Sequence, residues 1–184
     1  FGRAADRFER AVELSTDVVT STINDEGTPG PEDTLYVQIA GDATVVEGET
    51  ASYTVSLVDN VGNAITLYEG QSVTVTLNTT ATGLTLSATE GTDYVSIDGN
   101  EVTITGNATG VSEAALTVKT TDDFLADDGE QYNVEIIKAD GLGFEAYDVA
   151  SNSRVTTKIT DEAEPGAEDT VYAQIAGDTT VVEG

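Results

Sequence analysis

The sequence predicts an all-β protein whose strands pack as an antiparallel sandwich and whose sandwiches follow one another in a tandem array. Three observations lead to this prediction: short runs of alternating polarity, a spacing of about ten residues between successive runs, and a long internal repeat. No long amphipathic helical pattern separates the runs, which argues against a fold that mixes helices with a sheet.

The internal repeat defines the domain organisation. The stretch Asp25–Gly48 returns as Asp161–Gly184, and 18 of its 24 positions are identical at an offset of 136 residues. A single globular domain has no physical reason to repeat itself at this distance, whereas an array of similar domains does. The predicted units are the end of a preceding repeat at 1–25, a linker at 26–32, a complete repeat at 33–161, a linker at 162–168 and the start of a following repeat at 169–184.

The candidate strands are recognised by side chains that alternate between apolar and polar. Within Thr50–Val58, the residues Tyr53, Val55 and Leu57 point to one face, and serine and threonine residues point to the other. β-Branched residues, which suit a half-buried pleated surface, are frequent in these runs. The predicted strands are Asp17–Ile23, Leu35–Ala40, Thr44–Glu47, Thr50–Val58, Ser72–Leu77, Leu84–Ser87, Tyr94–Ile97, Glu101–Thr105, Ala114–Thr120, Tyr132–Lys138 and Ser153–Thr160.

Charge and missing residue types exclude several classes of function. The chain has 34 acidic and 7 basic residues and a formal net charge of −27, so it lacks the basic patches that nucleic acids and anionic membrane surfaces require. Cysteine and histidine are absent, which excludes a catalytic triad, a thiol nucleophile and a histidine-containing zinc site. No apolar run is long enough to cross a membrane as a helix. We therefore expect neither an enzyme nor a membrane-inserted protein.

The densest group of acidic residues lies at Thr120–Glu130. Five carboxylates fall within nine residues of this stretch, and their mutual repulsion is costly without a counter-ion. A hard cation such as Ca²⁺, which takes about six to eight oxygen ligands, removes that cost. A solvated turn is the alternative interpretation, because acidic runs are usually solvated. The spacing matches neither an EF-hand loop nor a glycine-rich nonapeptide calcium repeat.

Four motifs in Val45–Asp161 and the residues just after it resemble the Calx-β domain, an immunoglobulin-like sandwich known from calcium regulation and from large extracellular proteins. They are VVEGETASYTVSL at 45–57, ATEGTDY at 88–94, DDFLADDGEQYNVEI at 122–136 and ITDEAE at 159–164. The motifs occur in the order that the family shows, and together they are more specific than any one of them.

The resemblance implies a calcium cluster at one tip of the sandwich. Asp127 stands where the family usually has glutamate, and the closing acidic run is Asp-Glu-Ala-Glu where the family has three aspartates. The implied ligands are Glu47, Asp93, Asp122, Asp123, Asp127, Glu130, Asp161 and Glu162.

The acidic, cysteine-free repeats with near-identical junctions also resemble the extender regions of giant bacterial RTX adhesins of the LapA type, which act at the cell surface and in biofilms. This resemblance implies a calcium-stabilised spacer repeat that projects distal binding domains away from the cell. It further implies type I secretion, folding outside the cell on meeting calcium, and an extracellular location. The implied partners are calcium ions and the neighbouring repeats of the same chain.

A ligand-binding sandwich, for a carbohydrate or a host protein, is the alternative function. Such a site would lie on loops that differ between repeats, and Ala139–Ala150 is the candidate loop. A spacer would instead have repeats that are nearly alike throughout. The sequences of the neighbouring repeats therefore distinguish the two functions.

Overall fold

Alternating polarity in the sequence becomes nine strands in the computed structural model, which describes residues 20–24, 26–79, 88–97, 99–124, 129–142, 144–164, 166–167 and 169–184. Within these ranges no residue is helical, so none lies in a helix long and apolar enough to cross a membrane. The strands are β1 (Thr34–Gly41), β2 (Thr44–Val46), β3 (Thr50–Val58), β4 (Ser72–Asn78), β5 (Glu101–Thr105), β6 (Glu113–Lys119), β7 (Gln131–Leu142), β8 (Ala146–Val149) and β9 (Arg154–Thr160).

The strands form two sheets, which confirms the predicted sandwich. One sheet has the order β6-β3-β1-β8, and the other has the order β2-β9-β7-β4-β5. Neighbouring strands are antiparallel except for the parallel pairs β1–β8 and β2–β9. The two parallel pairs have one cause. Residues 34–46 run parallel to and beside residues 146–160. Both segments begin in the first sheet and continue into the second.

The apolar residues of the alternating runs form the core between the sheets. In β1, Leu35, Val37 and Ile39 are at most 2% exposed, while the residues between them are only half-buried. β3 and β4 show the same alternation. Because successive side chains of a strand point to opposite faces, one face of each strand packs inward and the other meets solvent.

The chain enters the complete sandwich at one end and leaves it at the other. β1 begins beside the start of β8, with Thr34 opposite Ala146, and β2 ends beside the end of β9, with Val46 opposite Thr160. β6 also ends close to β2, since Lys119 pairs with Thr50 at the start of β3. The segments that follow β2, β6 and β9 therefore meet at the same end, which we call the exit end.

Most of the predicted strands agree with the observed ones. The prediction Thr50–Val58 matches β3, and Glu101–Thr105 matches β5, at both ends. Leu84–Ser87 lies outside the described residues. Of the predicted strand Asp17–Ile23, residues 17–19 also lie outside the described residues. Residues 20–23 form no strand.

The strand predicted at Tyr94–Ile97 is wrong. Tyr94 forms only isolated bridges, to Glu90 and to Thr120, and turns lie on both sides of the run. Tyr94 and Ile97 are nevertheless buried, at 2% and 7% exposure. The alternating polarity of this run thus belongs to a short segment between two turns, whose apolar side chains cover the end of the core.

The loop predicted at Ala139–Ala150 is also wrong. β7 continues to Leu142, with Gly141 opposite Val73 in β4, and β8 follows almost at once. A Cβ on Gly141 would lie 2.1 Å from the carbonyl oxygen of Ser72. Glycine therefore lets the two backbones approach closely at this point, which is a common reason for glycine inside a strand.

A buried group of hydroxyls joins the two sheets inside the core. The Tyr53 hydroxyl donates to the Tyr132 hydroxyl at 2.9 Å and lies 2.6 Å from the Thr157 hydroxyl, which donates to the carbonyl oxygen of Asp42. Tyr132 also stacks on Tyr94 with ring centroids 4.5 Å apart. All three tyrosines are at most 2% exposed, so each phenol is held in a fixed position by the core.

Unfolding at alkaline pH is expected to begin with these phenols. Burial raises the pKa of both Tyr53 and Tyr132 above the ordinary value of 10.0. Their contribution to stability is therefore complete below pH 10 and is lost as the pH rises above it. Urea unfolding at pH 8 and pH 11 should show the loss, and Tyr132→Phe should make it smaller. Tyr68→Phe, at a tyrosine that is 57% exposed, is the control, and an equal effect of the two substitutions would contradict this assignment.

Candidate metal centre

Glu47 brings a carboxylate to the exit end from inside the sandwich. It follows β2 directly, and the alternation that buries Val45 also turns Glu47 inward, where it is only 8% exposed. Its backbone N–H donates to the carbonyl oxygen of Thr160 at 2.9 Å, so the pairing with β9 continues past the end of β2. Burying a carboxylate costs free energy unless an opposite charge or hydrogen bonds compensate it, so a buried glutamate at this position indicates a compensating partner.

Asp122 is placed beside Glu47 because the two residues before it form backbone hydrogen bonds to two other segments. Thr120 N–H donates to the carbonyl oxygen of Glu49, and Thr121 N–H donates to that of Asp93, both at 2.9 Å. Gly48 N–H donates in turn to the carbonyl oxygen of Thr121 at 3.3 Å. The segment after β6 is therefore fixed between the β2–β3 turn and the segment before Tyr94.

Glu162 completes the group from a third segment, two residues after the end of β9. Carboxylate oxygens of Glu47, Asp122 and Glu162 all lie within 4.8 Å of one another. Their environments differ: Glu47 is buried, Glu162 is half-buried and Asp122 is exposed. Three carboxylates from three chain segments thus face a common point that is open to solvent on one side.

Neighbouring carboxyl groups raise the pKa of Glu162 above its ordinary value. A hydrogen bond with the Asp169 carboxyl group raises the pKa of Glu162, and the negative charges of Asp169 and Asp122 raise it further. In the absence of a cation, two carboxyl groups in contact lower their repulsion by holding a proton between them. A bound divalent cation would lower it in the same way, and it would act on all the carboxylates at once.

The structure brings together three of the eight residues that the sequence implied as ligands. Asp93 is 9% exposed and accepts a hydrogen bond from Thr89 N–H, which closes its own turn. Glu130 exchanges backbone contacts with Ile159, whose N–H donates to its carbonyl oxygen at 2.7 Å. Asp123 is half-buried after Asp122, and Asp127 lies outside the described residues. The ligand role of all eight residues stays a prediction.

Asp161, the residue before Glu162, has a buried carboxylate oxygen. Its Oδ1 is buried, and within the described part of the chain no donor reaches it. A buried acceptor without a donor costs free energy, which an oxygen-seeking cation recovers. The carboxylate oxygens of Glu47, Asp122 and Glu162 suit a hard cation such as Ca²⁺ or Mg²⁺ better than a softer metal.

Asp169 is a member of the centre that sequence reasoning did not include among the ligands. It reaches Glu162 because the linker folds back through a turn, in which Gly166 N–H donates to the Asp169 carboxylate and the Thr170 hydroxyl donates to the Gly166 carbonyl oxygen. The sequence contained a signal for it, since Asp169 lies at the same repeat position as Asp33.

The first linker has the same local structure as the second. Gly30 N–H donates to the Asp33 carboxylate at 3.1 Å, and the Thr34 hydroxyl donates to the Gly30 carbonyl oxygen at 2.8 Å. Oxygens of Glu26, Glu32 and Asp33 also lie within 4.8 Å of one another. In sequence, these acids are the repeat counterparts of residues 162, 168 and 169, so both junctions contain the same carboxylates.

Replacing Gly48 by alanine is expected to damage the fold and the centre together. Gly48 has φ of +73°, and a Cβ there would lie 2.9 Å from Asp122 Cβ. The substitution adds backbone strain and pushes Asp122 away from Glu47. We expect the free energy of unfolding, measured with urea, to fall by about 2–3 kcal/mol.

Gly62→Ala is the matched control for this substitution. Gly62 also has a positive φ, of +91°, but a Cβ there would meet nothing within 4 Å. It should therefore show the backbone strain alone, of about 1–2 kcal/mol. Equal losses for the two variants would contradict the contact between Gly48 and Asp122.

Comparison with known proteins supports the fold. Neither protein-family models nor the curated proteins give a match to this chain. The solved structure of the calcium binding domain CBD12 of CALX1.1 matches with a TM-score of 0.50 at 19% identity, over 70% of this chain and 44% of that chain. The apo form of the Calx CBD1 domain matches with a TM-score of 0.48 at 16% identity, over 69% of this chain and 98% of that chain. The protein is thus an all-β sandwich with a Calx-β-like fold.

Proposed function

We propose that the complete sandwich is a calcium-binding module whose ion joins the ends of three chain segments. One observation carries the proposal: carboxylate oxygens of Glu47, Asp122 and Glu162 lie within 4.8 Å of one another, although they come from separate parts of the chain. A fold with a net charge of −27 gains little from gathering negative charge around a buried glutamate unless a cation is bound there.

Calcium fits this donor set best. The cation accepts about six to eight oxygens in a flexible geometry, whereas Mg²⁺ needs a near-ideal octahedron and keeps several of its waters. Carboxylates that come from three segments and a linker form a flexible set. The similar solved structure of CALX1.1 is itself named a calcium binding domain.

Calorimetric titration of the chelator-treated chain with CaCl₂ tests the binding. We expect saturable binding with a dissociation constant of roughly 0.1–1 mM, as is usual for extracellular calcium modules. MgCl₂ at the same concentrations is the control and should bind more weakly. The absence of calcium binding up to about 10 mM CaCl₂ would contradict the proposal.

The role that follows from this site is that of a spacer repeat in an extracellular bacterial adhesin of the RTX type. Three features support it: the 136-residue repeat, chain entry and exit at opposite ends of the sandwich, and linkers with identical turns. Entry and exit at opposite ends extend an array along its axis instead of folding it back. Calcium is scarce in the cytosol and abundant outside, so such a chain would be secreted in the unfolded state and would fold at the cell surface.

The position of Asp169 predicts that calcium also stiffens the array. Asp169 belongs to the start of the next unit and contacts Glu162 at the centre of the preceding one. In a chain of three consecutive repeats, small-angle scattering should give a larger radius of gyration in 10 mM calcium than in a chelator, because bent junctions become straight. A radius of gyration that ignores calcium would contradict the spacer role. The calorimetric result would stand, since it concerns a single unit.

The alternative of a ligand-binding module loses its main candidate surface. Ala139–Ala150 was the stretch on which such a site would vary between repeats, and most of it lies in β7 and β8. The cluster of carboxylates serves cation binding in this proposal, and we assign it no catalytic role.

A further inference from the structure

A groove on the outer face of the first sheet lies apart from the candidate metal centre. It has a volume of about 340 Å³ and lies between the loop after β3, residues 59–62, and the turn between β8 and β9, residues 149–152. We call these two segments the rim. Tyr36 and Gln38, the outward-facing residues of β1, form the floor. Tyr36 pairs with Val58 at the end of β3, whereas the exit end lies beside the start of β3.

The rim is held in place by hydrogen bonds of its own. Asp59 Oδ1 accepts from the N–H groups of Val61 and Asn63 at 3.0 and 2.8 Å, and Asp59 Oδ2 accepts from Asn63 Nδ2 at 2.8 Å. On the other side, Asn152 Nδ2 donates to Gln38 Oε1 at 2.7 Å, which ties the rim to the floor. A groove that is already formed saves the entropy of ordering its loops when a ligand binds.

The groove offers neutral groups that can both donate and accept hydrogen bonds. They are the side-chain amide of Asn60 and the hydroxyls of Tyr36 and Ser151. Among the described residues, neither lysine nor arginine lines the groove, so an anionic ligand would meet only repulsion from a chain of net charge −27. The carboxylate of Asp59 already accepts three hydrogen bonds in its own loop, which makes it a poor partner for a cationic ligand.

We propose that this groove binds one sugar residue of a neutral carbohydrate chain. A sugar ring has C–H groups on its faces and hydroxyls around its edge. The half-buried ring of Tyr36 and the side chain of Val61, which is 76% exposed, provide apolar surface for the C–H groups. The amide and hydroxyl groups of the rim bind the sugar hydroxyls. The volume is at the lower end of the roughly 300–1,000 Å³ of small-molecule sites, which suits one residue of a longer chain.

Comparison of the repeats separates the floor from the rim. The counterparts of Tyr36 and Gln38 in the following repeat are Tyr172 and Gln174, so the floor is the same. The rim sequence VASN at 149–152 corresponds to ELST at 13–16, and only the serine is shared. Loops that vary on a constant scaffold are the usual means of changing what a site selects. The repeats would therefore share one way of binding sugar and differ in the sugar that they prefer.

NMR titration of the ¹⁵N-labelled full chain in calcium tests the proposal. The probes are maltotriose, cellotriose and mannotriose, each a neutral chain of sugars. A heparin tetrasaccharide and pentalysine represent anionic and cationic ligands. We expect at least one neutral trisaccharide at millimolar concentration to shift the amide signals of residues 59–62 and 149–152, and neither charged probe to do so.

Three variants locate the binding. Tyr36→Ala should weaken it by about tenfold or more, because the apolar surface under the sugar is lost. Because Tyr36 is half-buried, this substitution also removes packing, and Ser151→Phe is the second variant. Ser151 is exposed, so the larger side chain fills the groove while the floor stays intact, and binding should be abolished. Tyr68→Ala, at an exposed tyrosine outside the groove, should bind as the parent chain does.

The pattern of shifts and losses decides the proposal. Shifts at the rim that are lost in Ser151→Phe and kept in Tyr68→Ala establish the site. No shift with any of the three trisaccharides, rim shifts with pentalysine or the heparin fragment in their place, or binding that survives both Tyr36→Ala and Ser151→Phe would overturn it. Glu47→Gln, which changes the metal centre alone, should bind the sugar unchanged. Sugar binding and calcium binding are thus tested separately.

Discussion

In 10 mM calcium the chain is expected to melt about 10 °C higher than in a chelator, a difference that follows from binding linkage. For a dissociation constant of about 0.1 mM, 10 mM calcium is about 100 times that constant and stabilises the folded state by about 2.7 kcal/mol per site. For a unit of this size, each kcal/mol raises the melting temperature by about 4 °C. The shift can be measured by circular dichroism, since a strand-rich fold gives a clear transition.

The control for this experiment separates binding from screening. The net charge of −27 means that any salt reduces self-repulsion and stabilises the fold to some extent. NaCl at equal ionic strength should therefore give only a small rise in melting temperature. Equal rises in melting temperature with NaCl and CaCl₂ would disprove stabilisation by a bound ion. So would equal melting temperatures in calcium and in the chelator.

Glu47→Gln is expected to affect stability in opposite directions with and without calcium. The substitution keeps the shape of the buried side chain but removes its charge. In a chelator the variant should be as stable as the parent chain or slightly more so, because Asp122 and Glu162 lose a negative neighbour. In calcium it should lose about half of the stabilisation or more, since the binding affinity falls by about tenfold or more.

The matched control is Glu113→Gln, which removes the same charge from an exposed position at the start of β6. Ser56 is its partner in β3, so it lies at the opposite end from the centre. This variant should keep the whole calcium-dependent shift in melting temperature. A Glu47→Gln chain that retains the shift would remove Glu47 from the centre.

The sandwich could be predicted from sequence because its strands are half-buried. Where one face of a strand is buried, as in β3, polarity alternates and the strand is visible in the residues themselves. β8 escaped prediction because it is only four residues long and has a weak alternation. The alternation of polarity at Tyr94–Ile97 predicts a strand, but it indicates only that Tyr94 and Ile97 are buried. Side chains can be buried without the hydrogen-bonded ladder of a strand, as they are here.

The centre was only partly predictable, because distance in the fold is not written in local patterns. Glu47, Asp122 and Glu162 were identified through a family resemblance, and the structure then brought them together. Asp169 was missed because its contact with Glu162 depends on the turn in the linker. The residue types and their repeat positions indicate that carboxylates gather where two repeats join. Which of these carboxylates lie close together depends on the fold.

A crystal structure of the chain grown in 10 mM calcium, with anomalous difference maps, tests the central claim most directly. An anomalous peak is expected about 2.3–2.6 Å from carboxylate oxygens of Glu47, Asp122 and Glu162. Well-ordered carboxylates at the exit end with no peak between them would contradict the account.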